Sequence, residues 1–160
     1  MRHDVRAETA EAISSANPLL TCRKVKLSME IKIERPFRLH FDVIEIDEMI
    51  PSMKVLLEVG VHQFSHDFHY RGHVWFECAA WDSFVEGLVA GEVSPSLVDM
   101  EGDFSFKIDV FNSPKKLLWQ MRRHAIDGTV AVLSCDAPID DELVAQIKRE
   151  FSQFERWWGE

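Results

Sequence analysis

The chain has 160 residues, 46% of them hydrophobic, with 27 acidic against 18 basic side chains and a formal net charge of −9. That length favours one domain with a core large enough to stand without staples. The acidic balance argues against a nucleic-acid binder, which needs basic surface to displace counterions, and no apolar run approaches the length of a membrane span.

Residues 1 to about 22 show no clear period and read as an extension to a single α+β domain over 23–160. The opening "MRHDVRAETAEAISSANPLL" is mixed and charged and lacks the apolar stretch of a secretory signal, so a cytoplasmic protein is expected. Cys22, Cys78 and Cys135 lie far apart, without a CxxC pair, and read as reduced thiols.

From Val25 the pattern has period two. Val25, Leu27, Met29, Ile31 and Ile33 alternate with polar residues, and Phe37, Leu39, Phe41 and Val43 resume the alternation after Pro36. This is the pattern of half-buried antiparallel strands. "MKVLLEVGVHQF" and "HYRGHVWFEC" read as the arms of a hairpin turning near His66 and Asp67. In "AAWDSFVEGLVAGE", Trp81, Phe84, Val85 and Leu88 share a helical face, with Gly91 as a stop. "PSLVDMEG", "DFSFKIDVF", "KKLLWQMRRH" and "TVAVLSC" read as further strands, the last two joined at "AIDG". Leu143, Ile147, Phe151, Phe154 and Trp158 then form a helical stripe capped by Asp140 or Asp141. The expected fold is mainly antiparallel β-sheet built of hairpins, with two main helices at about 80–90 and 140–158. No internal repeat is evident.

Four of the seven histidines fall in "HQFSHDFHYRGH": His62, His66, His69 and His73. Their spacing of four, three and four fits one face of a helix, where histidines can share a metal. A helix there would have to absorb Gly60 and Gly72 between arms rich in valine and aromatics, so a hairpin is the better reading. With the turn centred between His66 and Asp67, one face carries Val55, Leu57, Val59, Val61, Tyr70, Val74, Phe76 and Cys78. The other carries Glu58, Gly60, His62, Phe64, His69, Arg71, His73 and Trp75, with His62 opposite Arg71. A guanidinium among prospective ligands disfavours a cation, so no metal site, cofactor or catalytic residue is assigned. The partner-binding candidates are Glu58, His62, His69, Arg71, His73 and Trp75. Trp157, off the helical stripe, reads either as an exposed contact or as a packed residue.

No P-loop, GxGxxG, GxSxG or HExxH occurs. Glu45, Asp47 and Glu48 read as a solvated strand end. A thiol nucleophile made of Cys78 and His73 is disfavoured, because the hairpin puts them on opposite faces.

The strand pair containing "VLLEVGVHQF", then "WDSFVEGLVAGE", a turn and "FSFKIDVF", a further strand pair and a closing aromatic helix form an ordered pattern over about 50–158. This order resembles the WapI-type class of bacterial immunity proteins and kindred small families. The resemblance implies a cytoplasmic, non-enzymatic protein that binds and blocks a partner toxin, and it carries over no functional residues. An acidic domain is suited to a basic partner, since complementary charge speeds encounter. Two other readings stand beside it: a small metal-dependent hydrolase using the His62–His73 hairpin, and a homodimeric structural or adaptor domain paired through an edge strand or the last helix.

Overall fold

A computed structural model describes residues 29–91 and 93–159. The expectations for 1–22, and for Cys22, Val25 and Leu27, fall outside the described residues. The chain forms β1 (Glu30–Ile33), β2 (Arg38–Asp47), β3 (Ser52–Gln63), β4 (His66–Glu77) and α1 (Cys78–Ala90). Then come β5 (Ser96–Val98), β6 (Phe104–Asp109), β7 (Lys115–His124), β8 (Val130–Ile139) and α2 (Asp141–Ser152). The α+β class and the two helices are as expected. The strands, however, divide into two four-stranded antiparallel sheets, ordered β1-β2-β3-β4 and β5-β6-β7-β8. Four strands followed by a helix therefore occur twice, a duplication of plan with no counterpart in the residue pattern.

Period-two patterning explains the shared core. Ile31, Ile33, Leu39, Phe41, Val55, Leu57, Val59 and Phe76 of the first sheet are buried. Phe104, Phe106, Ile108, Leu117, Trp119 and Met121 of the second join the same cluster, as do the stripes of both helices. Phe41 is the hub. Its ring lies 6.3 Å from Phe76, 6.2 Å from Trp81, 6.2 Å from Phe104, 5.9 Å from Phe106 and 5.7 Å from Phe151. One ring thus touches both sheets and both helices. Since the helices share the core between the inner faces, the polar outer face of the first sheet is left uncovered by them.

The helices end differently. Gly91 closes α1 in the left-handed region (φ 67°), donating its N–H to the Gly87 carbonyl. Asp140 caps α2 by accepting from Leu143 N at 2.8 Å. The helical stripe predicts α2 as far as Trp158, but the helix stops at Ser152. The tail turns away to seat Phe154 against Trp81 (4.8 Å) and to bond Asp82. Arg156 Nη1 and Trp158 Nε1 donate to the two Asp82 oxygens at 2.9 and 2.8 Å. Tertiary contacts thus override helical period, as happens where local propensity is weak. Trp157 is half-buried and packs on Trp158 at 5.5 Å, so it is a packed residue.

Candidate functional site

The β3–β4 hairpin carries the candidate residues, and its register corrects the expected one. Gln63 pairs with His66, so the turn is Phe64-Ser65, two positions earlier than expected. Both turn residues have positive φ, 52° and 65°, the conformation of the two-residue turn that matches strand twist. That turn usually takes Asn-Gly, so no turn signal marks it here. An even shift of register preserves which residues share a face, so the inner and outer sets stand as expected except for Phe64, which lies in the turn, and Cys78, which opens α1. The partners change. His62 faces Asp67, not Arg71; Arg71 faces Glu58; His69 faces Gly60; His73 faces Leu56; Trp75 faces Lys54.

All six predicted residues, Glu58, His62, His69, Arg71, His73 and Trp75, therefore lie on the outer face of the first sheet. They form one surface but not one cluster. At its centre, Arg71 Nε lies 2.9 Å from Glu58 Oε1. The other Glu58 oxygen is 3.7 Å from Nδ1 of His40, whose Nε2 lies 3.0 Å from Glu30, and Glu30 accepts from Lys32 at 2.9 Å. Carboxylates thus alternate with nitrogen-bearing side chains across all four strands. The Lys32 and His40 contacts, in that order, hold the Glu30 carboxyl below its ordinary pKa. Glu30 in turn pushes the Lys32 ammonium up. Each such exposed pair contributes little stability; what the row fixes is the orientation of its side chains.

At the hairpin end, Arg38 faces Gly60 across the strands, and Gly60 faces His69. A hollow of about 420 Å³ at this end wraps round the sheet, lined by Gly60, Arg38, His62 and His69 of the outer face and by Phe37, Val61 and Phe68 of the inner one. His62 Nδ1 lies 2.5 Å from Asp67 Oδ1, and Arg38 Nε 3.5 Å from Glu34. At the opposite end, the Lys54 ammonium sits 5.7 Å from the centre of the half-buried Trp75 ring.

No family model, curated relative or solved structure matches the chain.

His40, Arg38, Glu30 and Lys32 belong to this surface and are missing from the six predicted residues. The signal was present: residues alternating with Phe37, Leu39 and Phe41 must face outward. Among the described residues no three His, Cys, Asp or Glu side chains are placed to hold a metal ion. Cys78 is buried at the start of α1, and burial, with Asp82 adding, pushes its thiol up to about 12. His73 is on the outer face, so the two are separated by the sheet. In the acidic run, Asp47 accepts from Met49 N and Ile50 N and shapes the β2–β3 turn, while Glu45 pairs with Lys54 at 3.3 Å.

Proposed function

We propose that this protein is a non-enzymatic bacterial binding protein of immunity type, acting in the cytoplasm by sequestering a cognate protein toxin. The contact surface is the outer face of the first sheet. The observation that carries this reading is a four-stranded face, uncovered among the described residues, that presents Trp75, Arg71, His62, His69 and His73 together. Tryptophan and arginine are the residues most enriched at the energetic centres of interfaces. Strands of 4, 10, 12 and 12 residues, about 4.8 Å apart at about 3.3 Å per residue, give roughly 600 Å². That approaches the roughly 800 Å² per partner of a standard interface. The chain's net charge of −9 speeds encounter with a basic partner. Among the described residues, no helix is long and apolar enough to cross a membrane.

The test is growth rescue, with the toxin-like domain encoded nearest to the gene expressed in a host with or without this protein. Rescue by the parent, and its loss in Trp75→Ala and Arg71→Glu variants of unchanged circular dichroism, is the expected result. Absence of both rescue and a co-purifying complex overturns the reading.

A further inference from the structure

The four sheet edges are not equally protected. β5 is three residues long, and β1 is four residues long with Glu30 and Lys32 on its outer face. The β4 edge is partly occupied: His73 O accepts from Arg123 Nη2 at 2.9 Å, and Trp75 O from Met100 N at 2.8 Å. β8 is ten residues long, and among the described residues no strand pairs with its outer side.

The hydrogen-bond phase of that free side can be worked out. Ala125 N donates to Thr129 O at 2.8 Å, closing the hairpin. The β7–β8 ladder continues this register, pairing Arg123 with Ala131, Met121 with Leu133 and Trp119 with Cys135. Hydrogen-bonded pairs recur every second residue in an antiparallel ladder. Odd-numbered residues of β8 therefore bond to β7, and even-numbered ones direct their N–H and C=O to the free side. Pro138 fits this phase, since its missing N–H costs no ladder bond there. It also ends the usable run. Val130, Val132, Ser134 and Asp136 remain, each with one donor and one acceptor. Val130 and Val132 are 49% and 52% exposed, and no lysine or proline blunts the run between them and Asp136.

Beside this edge lies a groove of about 430 Å³ lined by Val61, Phe68, Trp119, Leu133 and Cys135. Leu133 and Cys135 are inner-face residues. A strand added to β8 would place every second side chain on that same inner side, in the groove. Main-chain bonds from an edge combined with pockets for alternate side chains are the two components of strand-addition recognition.

We propose that the β8 edge takes up an extended segment of a partner protein as a fifth strand of the second sheet. Its groove-facing side chains are apolar, and a lysine or arginine stands opposite Asp136. Charge selects this occupant. The chain carries −9, and Asp127 and Asp136 bracket the free run with no cation on β8 between them; Asp136 accepts from Lys116 Nζ through Oδ2 at 2.9 Å, which leaves Oδ1 to the incoming cation. The same charge opposes pairing with a second copy. Arg122 of β7, across from Val132, favours an uncharged residue at that point. This surface is separate from the outer face of the first sheet and stands whether or not that face binds a toxin.

The probe is the labelled peptide Lys-Val-Thr-Val-Thr-Val-Lys with blocked ends, which laid antiparallel to β8 puts its valines on the groove side and turns its threonine N–H groups to the edge. Its affinity for the full chain is read by fluorescence anisotropy. Two controls keep the valines: one replaces both threonines with proline, removing two edge-facing donors, and one replaces both lysines with glutamate. The peptide is expected to bind at least about tenfold tighter than either control, two lost hydrogen bonds alone accounting for about that factor. Saturation is expected to slow amide exchange at Val130, Val132, Ser134 and Asp136. Val132→Pro removes an edge donor without touching the β7 ladder and is expected to lose binding. Val132→Lys keeps the donor, guards the edge and is expected to weaken it. Equal affinity for the proline control, or unchanged exchange at the four amides with bound peptide, overturns the proposal. So does a dimer in sedimentation whose edge amides are already protected without peptide, since a second copy then fills the edge.

Discussion

The two halves of the molecule share a plan and differ in how they hold it. In each, a short strand, three longer ones and a helix follow in order, yet the first half's helix is made by its surroundings and the second's by its own sequence. α1 has no side-chain cap at Glu77, no acid in its first turn and no base in its last. It is held by the buried Trp81, Phe84 and Val85 and released by Gly91. α2 has the Asp140 cap, Asp141 and Glu142 in its first turn and Arg149 in its last, all complementing the helix dipole. Helices of 13 and 12 residues can thus rest on tertiary packing or on local signals.

Substitutions can break or sharpen this contrast. The largest effect is expected at Trp81, which is fully buried and meets Phe41, Phe76, Phe151 and Phe154. Trp81→Ala should cost about 3–5 kcal/mol in denaturant unfolding; a loss below about 1 kcal/mol would mean α1 does not depend on packing.

Next is Gly91→Ala. An added Cβ meets nothing within 4 Å, so the cost is that of the left-handed backbone alone, about 1–2 kcal/mol. A thermal melt unchanged from the parent would show that the chain reverses without that conformation.

The caps give the sharpest pairing. Asp140→Ala should cost about 1 kcal/mol, whereas Glu77→Ala at the equivalent position of α1 should cost at most a few tenths. Equal losses would erase the distinction between the helices.

The smallest effects are in pH dependence, and they carry opposite signs. The Cys78 thiol is pushed up to about 12, first by burial. Its contribution is complete below the ordinary thiol pKa and is lost as pH rises from there to the raised value of about 12. Cys135, half-buried, is pushed up for the same reason. Asp109 in the second half is held below its ordinary range, first by the Asn112 side chain. Its contribution is complete above the ordinary carboxylate pKa and is lost as pH falls through the lowered one. Cys78→Ala should flatten the alkaline limb of stability, and Asn112→Ala should raise the Asp109 pKa in a carboxyl NMR titration. A steeper alkaline limb, or an unmoved Asp109, would contradict these assignments.

Alternation and capping chemistry made most of the fold legible, because they are local. Phe37, Leu39, Phe41 and Val43 declare an inner face, Asp140 a helix start and Gly91 a helix stop, each by its own physical chemistry. The β3–β4 turn was misplaced because Phe64-Ser65 lacks the glycine or asparagine that usually marks positive φ. The outer face survived that error because the slip was even, but the pairing of Arg71 with Glu58 did not. The end of α2 was illegible because Asp82, some seventy residues earlier, draws the tail away. The division into two sheets was illegible for a like reason, since nothing in the strands themselves says which edge stays open. The role of His40 was within reach, had the outward partners of Leu39 and Phe41 been read as part of the surface.

The meander order of both sheets also bears on how quickly the chain finds its structure. Every strand pairs only with its neighbour along the chain, so each ladder closes over a short connection at little entropic cost. Topologies rich in such near-neighbour contacts fold fast for their strand content. The slow, cooperative event is then expected to be the packing of the two sheets around Phe41. The barrier is expected to respond most to the size of that one ring.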